Sequence, residues 1–163
     1  MNTRDVALCG VMIAVTAAMT LLVRIPVAPT RGYLNLGDAM VFFSALSLGS
    51  KIGGISGGVG SAIADILGGY AYFAPITLVV KGVEGLVAGL VAKKGTFIVM
   101  LAGTIAGGAV MIGGYFIAET LMYGVGPALV EIPANIIQIV GGLVIAIPLT
   151  YAVRKAYPRI RKV

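Results

Sequence analysis

The feature that most constrains this chain is a series of long apolar runs in which charged residues are almost absent. Residues 6–23 contain no charged residue, and residues 96–118 form a second uninterrupted run. A helix needs about 20 apolar residues to cross a hydrocarbon core about 30 Å thick. Charged residues make up only 11% of the chain, too few to cover a soluble domain. The sequence therefore predicts a single integral membrane domain over residues 1–163.

Turns rich in glycine, proline and lysine divide the apolar sequence into six expected helices, an all-α membrane bundle. The second run is too short to cross a bilayer, so we expect it inside the protein or beside a thinned rim. Pro26 and Pro29 end the first run, and residues 25–37 are expected to form a loop. The expected helices cover residues 6–23, 38–48, 52–67, 75–92, 96–118 and 129–153.

The residue types that are missing exclude several kinds of chemistry. The chain contains no histidine and only one cysteine, Cys9, which excludes histidine metal sites, haem ligation and an internal disulfide framework. It also lacks a G-x-x-x-x-G-K-[ST] phosphate loop and a G-x-S-x-G turn. We therefore expect no enzymatic activity, no metal and no cofactor in this chain, and any ATP hydrolysis would belong to a partner.

The positions of the basic residues predict the orientation in the membrane, because short cytoplasmic loops are enriched in lysine and arginine. With the N-terminus inside, two arginines lie outside, Arg24 and Arg31, and both termini are cytoplasmic. The net charge of +6 is then a topology signal that requires no nucleic acid partner. Nine basic residues lie inside: Arg4, Lys51, Lys93, Lys94, Arg154, Lys155, Arg159, Arg161 and Lys162.

Small residues recur every four positions on several expected helices, a spacing that allows close helix packing. Packing within the bundle is the expectation for Gly53/Gly57, Gly54/Gly58, Gly57/Ser61, Gly85/Gly89 and Gly103/Gly107. On the first helix the small residues are Gly10, Ala14 and Ala18. That face could pack inside the bundle or could equally dock a separate membrane subunit.

Buried polar residues are concentrated in the outer half of the expected bundle. Lys81 lies six residues after Pro75, about 9 Å below the outer mouth at about 1.5 Å per residue. Tyrosines and Phe73 at this level could stack on a planar ligand. Two stripes with spacing i, i+4, i+7 predict the walls of an outward-facing binding cup. The stripes are Thr77, Lys81 and Glu84, and Glu131, Asn135 and Gln138.

Each of these polar residues also has a purely structural alternative. Asp38 could cap the second helix, and Lys81 with Glu84 could form an intrahelical ion pair. Glu131 could be solvated in the outer loop, and the amides of the sixth helix could only bond between helices. The outer tyrosines could belong to an interfacial aromatic belt: Tyr33, Tyr70 and Tyr72.

The chain resembles the substrate-binding S-components of energy-coupling factor (ECF) vitamin transporters over nearly its whole length. The small-residue face of the first helix and the segment 33–91 carry the resemblance. In that segment N-L-G-D is followed by a glycine-rich helix ending A-D-I-L-G-G-Y and then by A-P-I-T-L-V-V-K-G-V-E-G. The resemblance implies six transmembrane helices with both termini inside, a vitamin bound near the outer surface, and an S-component that topples in the membrane during transport.

The resemblance also implies partners and residue roles. The partners would be a transmembrane coupling subunit, docked largely through Gly10, Ala14 and Ala18, and two cytoplasmic ATPases. The residues expected at the ligand are Asn35, Lys81, Glu84, Tyr115, Asn135 and Gln138.

The substrate is less sharply indicated than the family. The riboflavin-binding branch usually carries a Lys-Asn pair where this chain has Ala64-Asp65, and the tryptophan prominent in the thiamine-binding branch is absent. Riboflavin, hydroxymethylpyrimidine and pyridoxine-type ligands stay open, and a small polar heteroaromatic ring suits one lysine, two amides and tyrosines. Two other classes of protein are also open: a membrane enzyme acting on a lipid, and a structural or pore subunit.

Overall fold

The structure is a computed structural model that describes residues 1–157. Three of the expected cytoplasmic charges, Arg159, Arg161 and Lys162, lie outside the described residues. The described chain forms an all-α bundle with one short hairpin, and a 3₁₀ turn at Ala92–Lys94 precedes the fifth helix. The helices are α1 Thr3–Leu22, α2 Gly37–Leu48, α3 Ser50–Gly68, α4 Ala74–Val91, α5 Phe97–Tyr123 and α6 Val125–Ala156.

Four of the described helices are long and apolar enough to cross a membrane: α1, α4, α5 and α6. The helix α3 has 19 residues but is rich in glycine and serine, which lowers its hydropathy. The 12-residue helix α2 is only about 18 Å long, and every residue in it except Phe43 is buried. The expectation that the second run lies inside the protein is therefore confirmed.

Close backbone approaches explain the glycines of α3, α4 and α5. A Cβ atom added to Gly58 of α3 would lie 2.5 Å from the carbonyl oxygen of Leu78 in α4. On α5, a Cβ at Gly103 would lie 2.6 Å from the carbonyl oxygen of Ala88. Real Cβ atoms do not come so close to a backbone oxygen, so these positions require glycine. The predicted packing role of these stripes is confirmed.

The small-residue stripe on α1 lies in a different environment. Gly10, Ala14 and Ala18 are all exposed, and a Cβ at Gly10 would have no neighbour within 4 Å. The side of α1 that packs on α3 is another one, where Ile13 and Thr16 meet Gly60. No other part of the described chain therefore covers the stripe.

The segment expected to be a loop contains a two-stranded antiparallel hairpin, which corrects that expectation. The strands are β1 (Arg24–Val27) and β2 (Gly32–Asn35), with Arg24 opposite Asn35. Proline is tolerated here because a two-stranded sheet consists only of edge strands. The hairpin is anchored to the end of α3, where the Arg24 guanidinium donates to the Gly68 carbonyl at 3.1 Å.

The last two helices are longer than the sequence indicated. The helix α5 continues to Tyr123, beyond the expected end at residue 118, and α6 begins at Val125, before residue 129. Gly124 joins them with a φ of 88°, a conformation that favours glycine. Pro127 fits the first turn of α6, because the first N–H groups of a helix have no intrahelical partner.

Two glycines of α5 test the packing argument within one helix. We expect Gly103→Ala to destabilise the protein, because overpacking typically costs about 1–3 kcal/mol. Gly113→Ala is the control, because a Cβ there would have no neighbour within 4 Å and alanine is the better helix former by about 1 kcal/mol. Thermal unfolding in detergent should show a lower midpoint for Gly103→Ala and an unchanged or raised one for Gly113→Ala. Equal midpoints would contradict the packing argument.

Candidate functional site

A small polar cavity lies at one end of the bundle, beneath the hairpin. The volume that the centre of a water molecule can reach in this cavity is about 40 Å³. On the same measure, one bound water needs about 10–15 Å³. All the long helices and the hairpin contribute to its wall, which places the predicted polar stripes of α4 and α6 together. The lining residues are Thr20, Gly32, Tyr33, Asn35, Ser61, Asp65, Phe73, Thr77, Lys81, Tyr115, Glu119, Glu131, Asn135 and Gln138.

Most of the residues expected at a ligand line this cavity, and one lies behind it. The lining includes Asn35, Lys81, Tyr115, Asn135 and Gln138. Glu84 is fully buried and contacts the ammonium group of Lys81 from one turn further along α4. It can therefore influence a ligand through Lys81.

Lys81 is held between two buried carboxylates. Its ammonium group forms an ion pair with Asp38 of α2, and it lies 2.9 Å from the Glu84 carboxylate. All three side chains are at least 97% buried. The ion pair between Lys81 and Glu84, given above as a structural alternative, is present, but Lys81 also pairs with Asp38 on a second helix. The alternative that Asp38 caps α2 is wrong, because α2 has no side-chain cap.

A hydrogen-bonded chain connects this ion cluster to the hairpin. Gln138 donates to the Asp38 carboxylate at 3.0 Å and accepts from the backbone N–H of Asn35 at 2.8 Å. The Asn35 side chain in turn accepts from the Gly37 N–H at 2.8 Å. Gln138 therefore bonds between helices, as one alternative expected, while it also lines the cavity.

Tyrosines and threonines position the acids on the hairpin side of the cavity. The Tyr33 hydroxyl donates to Asp65 at 2.6 Å, and the Thr30 hydroxyl donates to Glu131 at 2.5 Å. Burial raises the pKa of Tyr33, and its hydrogen bond to Asp65 acts in the same direction. Because Glu131 is 4% exposed, the alternative that it is solvated in a loop is wrong.

Aromatic rings lie at the same level. Tyr33 and Tyr70 have ring centroids 4.5 Å apart, and the Tyr115 hydroxyl donates to Thr77 at 3.1 Å. The Lys81 ammonium lies 5.9 Å from the centroid of the Tyr115 ring. Tyr72 is 47% exposed, consistent with a residue at the outer surface.

Asn135 differs from the other polar residues of the cavity. It is 7% exposed and faces the cavity, but within residues 1–157 its amide makes no hydrogen bond to the protein. A buried amide normally finds partners. Its donors and acceptor are therefore available to a molecule in the cavity.

Several lining residues were outside the set expected at the ligand. Glu131 belongs to the predicted stripe of α6, whereas Asp65 and Glu119 lie near the ends of α3 and α5, and this shared depth was the signal that could have included all three. Thr77 lies on the same stripe as Lys81. Thr20 carried no signal, because an isolated threonine in an apolar helix is common.

The fold and the cavity together define a class of protein: a membrane helix bundle that encloses a small polar site near one surface, suited to binding a small solute. The family model of the ECF-type riboflavin transporter S component matches residues 1–155. The chain belongs to this family, so the suspected resemblance is confirmed. The protein is thus the solute-binding component of a vitamin or vitamin-precursor importer of the ECF type, and this component is not itself an enzyme.

Two curated relatives are similar to this chain over most of its length. A protein of Pyrococcus woesei described as an uncharacterized protein in gap 3'region is 44% identical over 137 residues, 83% of this chain and 92% of that protein. The thiamine precursor transporter HmpT of Lactococcus lactis subsp. cremoris is 30% identical over 147 residues, 89% of this chain and 84% of that protein.

The ion cluster predicts a large difference between two lysine substitutions. Lys81→Met leaves Asp38 and Glu84 buried without their cation, and breaking a buried pair costs about 3–5 kcal/mol. Lys51→Met is the control, because Lys51 is exposed and surface changes stay within about 0.5 kcal/mol. Chemical or thermal unfolding in detergent should separate the two variants clearly. Adding Glu84→Gln to Lys81→Met should restore part of the loss, and similar stability of both lysine variants would contradict the argument.

Proposed function

We propose that this protein captures a water-soluble vitamin or vitamin precursor in its cavity on the outer side of a prokaryotic plasma membrane. It passes the solute to a transmembrane coupling subunit that is driven by two cytoplasmic ATPases. The observation that carries the proposal is the enclosed cavity, where Lys81, Asn135 and Gln138 offer polar groups at one end of an apolar bundle. A binding subunit needs such a site and needs no chemistry of its own.

A single heteroaromatic ring of the hydroxymethylpyrimidine type is the substrate that the cavity favours. The space of about 40 Å³ is small, so a one-ring ligand requires less movement of the wall than the three-ring flavin. The amide of Asn135 and the rings of Tyr33 and Tyr115 suit an aromatic ligand with ring nitrogens. The relative named as a thiamine precursor transporter supports this choice, while the name of the family keeps riboflavin as the second candidate.

The topology follows from charge and from the position of the cavity. With six spans and both termini inside, residues 1–163 form one membrane domain, and the hairpin and cavity face outward. Lys51 and Lys93 then lie at the opposite, cytoplasmic end, in agreement with the positive-inside rule. This orientation gives the solute access to the cavity from outside.

The exposed face of α1 is the surface through which we propose that the coupling subunit docks. Gly10, Ala14 and Ala18 form a smooth strip flanked by the exposed side chains of Val11 and Val15. In lipid, small residues allow two helices to approach closely and gain dispersion contacts. The same residues at a surface covered only by lipid would offer no such advantage.

The alternative functions fit the interior of the bundle less well. A pore subunit needs a polar path through both halves, but an apolar cluster that includes Ala88, Met100 and Ile147 packs within the bundle. An enzyme acting on a lipid needs reactive groups, and the family is a solute-binding one. Within the described residues, no group of three or more acidic or sulfur ligands could hold a metal.

Mass spectrometry of the small molecule that co-purifies with the protein from a native-like host is the direct test of the proposed function. The expected result is a heteroaromatic vitamin or precursor, and a yellow preparation would identify a flavin. Titration of the purified protein with hydroxymethylpyrimidine, riboflavin and pyridoxine would then rank the ligands. Binding of none of them would refute the proposed function.

Asn135 provides a test of the site that does not disturb the fold. Because its amide bonds no other part of the described chain, Asn135→Leu should leave the unfolding midpoint nearly unchanged. Ligand affinity should fall about tenfold, since one lost hydrogen bond with unsatisfied partners costs about 1–3 kcal/mol. Calorimetric titration measures the affinity, and unchanged binding by a folded variant would remove Asn135 from the site.

The face of α1 is tested by Ala14→Trp, which should abolish uptake into cells while leaving vitamin binding by the purified protein intact. The indole would hold the coupling subunit away from the helix. Ala102→Trp on α5 is the matched control, because Ala102 is also exposed and lies off this face. Loss of binding together with uptake would count against a docking role, as would equal effects of both substitutions.

A further inference from the structure

Two glutamates on neighbouring helices face the cavity without a cation. Glu119 lies near the end of α5 and Glu131 near the start of α6, and both line the cavity. Their exposures are 2% and 4%. Both carboxyl groups therefore border the same small cavity, of about 40 Å³.

The protein provides hydrogen-bond partners for only some of the oxygen atoms of these two carboxylates. One oxygen of Glu131 accepts from the Thr30 hydroxyl at 2.5 Å, whereas the Oε2 atom of Glu119 is buried without a hydrogen-bond partner. Within the described part of the chain, no lysine or arginine lies within 4.0 Å of either carboxylate, and Lys81 is already held by two other acids. The pair therefore has unused acceptor capacity at the wall of the cavity.

An unpaired carboxylate inside a protein is costly, and two neighbouring ones are more so. Such an arrangement is relieved by protonation, by a cation, or by N–H donors that arrive with a ligand. A metal ion is a poor candidate, because no group of three or more such ligands is found among the described residues. The remaining class of occupant is an organic group with N–H donors.

We propose that Glu119 and Glu131 bind the amino-substituted edge of the ligand, so that this site selects heterocycles that carry an exocyclic amino group. The proposal rests on the proposed function and specifies which edge of the ligand meets which wall. An amino group beside a ring nitrogen can pair with a carboxyl group through two hydrogen bonds: the amino N–H donates to one oxygen, and a proton shared by the ring nitrogen and the other oxygen forms the second. Asn135, one turn along α6 from Glu131, lines the same cavity and makes no hydrogen bond within residues 1–157, so it is available to another atom of the ring.

The same acids predict which ligands are rejected. A keto group in place of the amino group would turn an oxygen acceptor toward the Glu119 carboxylate, where the amino group would have donated a hydrogen bond. A phosphate would add further negative charge to a wall that already carries the acids Glu119, Glu131 and Asp65. Selection of this kind comes from repulsion as well as attraction.

The test compares two probes on the purified full-length protein: 4-amino-5-hydroxymethyl-2-methylpyrimidine and the analogue with a 4-oxo group. Calorimetric titration should show that the wild type binds the amino compound at least about tenfold more tightly. In Glu119→Gln and in Glu131→Gln this ratio should fall to about twofold or less. Glu84→Gln is the control, because Glu84 is a buried acid that does not line the cavity, and its ratio should be preserved even where its affinity falls.

Each outcome bears on the proposal separately from the proposed function. A wild-type protein that binds both pyrimidines equally, or that binds riboflavin but neither pyrimidine, overturns the role of the acids and leaves a vitamin-binding subunit in place. The role of the acids is also overturned if the Glu119→Gln and Glu131→Gln variants are both folded and keep the full wild-type ratio of affinities for the two pyrimidines. If the protein binds no pyrimidine, riboflavin or pyridoxine, the proposed function fails as well. Unfolding midpoints of the isosteric glutamine variants establish that they are folded.

Discussion

One buried cation, Lys81 between Asp38 and Glu84, organises the part of the bundle that binds. A charge in the interior of a membrane protein is tolerated where opposite charges and hydrogen bonds surround it. Asp38 reaches Lys81 only because α2 is enclosed by the other helices, and Gln138 then joins Asp38 to the Asn35 backbone of the hairpin. The placement of α2, α4, α6 and the hairpin thus depends on the satisfaction of one ammonium group.

Close helix packing and ligand binding are located in different parts of the bundle. Away from the cavity, glycines such as Gly58 and Gly103 let a neighbouring helix backbone come into contact, and apolar side chains such as that of Met100 pack together. Toward the cavity, the same helices carry polar groups that have no hydrogen-bond partner within residues 1–157. The Asn135 amide and the Glu119 carboxylate are the clearest examples, and they are what a membrane protein keeps only for a ligand.

Much of this architecture could be predicted from the sequence. Long uncharged runs and turn residues identified the helices, and the burial of α2 followed from its length. The spacing of the polar residues on α4 and α6 predicted five of the fourteen described residues that line the cavity. The hairpin between α1 and α2 was missed, because its prolines indicate a loop and its four-residue strands are too short to show an alternating pattern.

The sequence by itself determined that the protein lies in a membrane, where its helices fall and which family it resembles. These properties depend on hydropathy, periodicity and local motifs. Only the tertiary structure decided how the acids are used. Asp38 was a possible helix cap and Glu131 a possible loop residue until the packing of distant segments gave one a lysine and the other a threonine. Hydrogen-bond partners a hundred residues apart depend on three-dimensional packing, which spacing along one helix does not reveal.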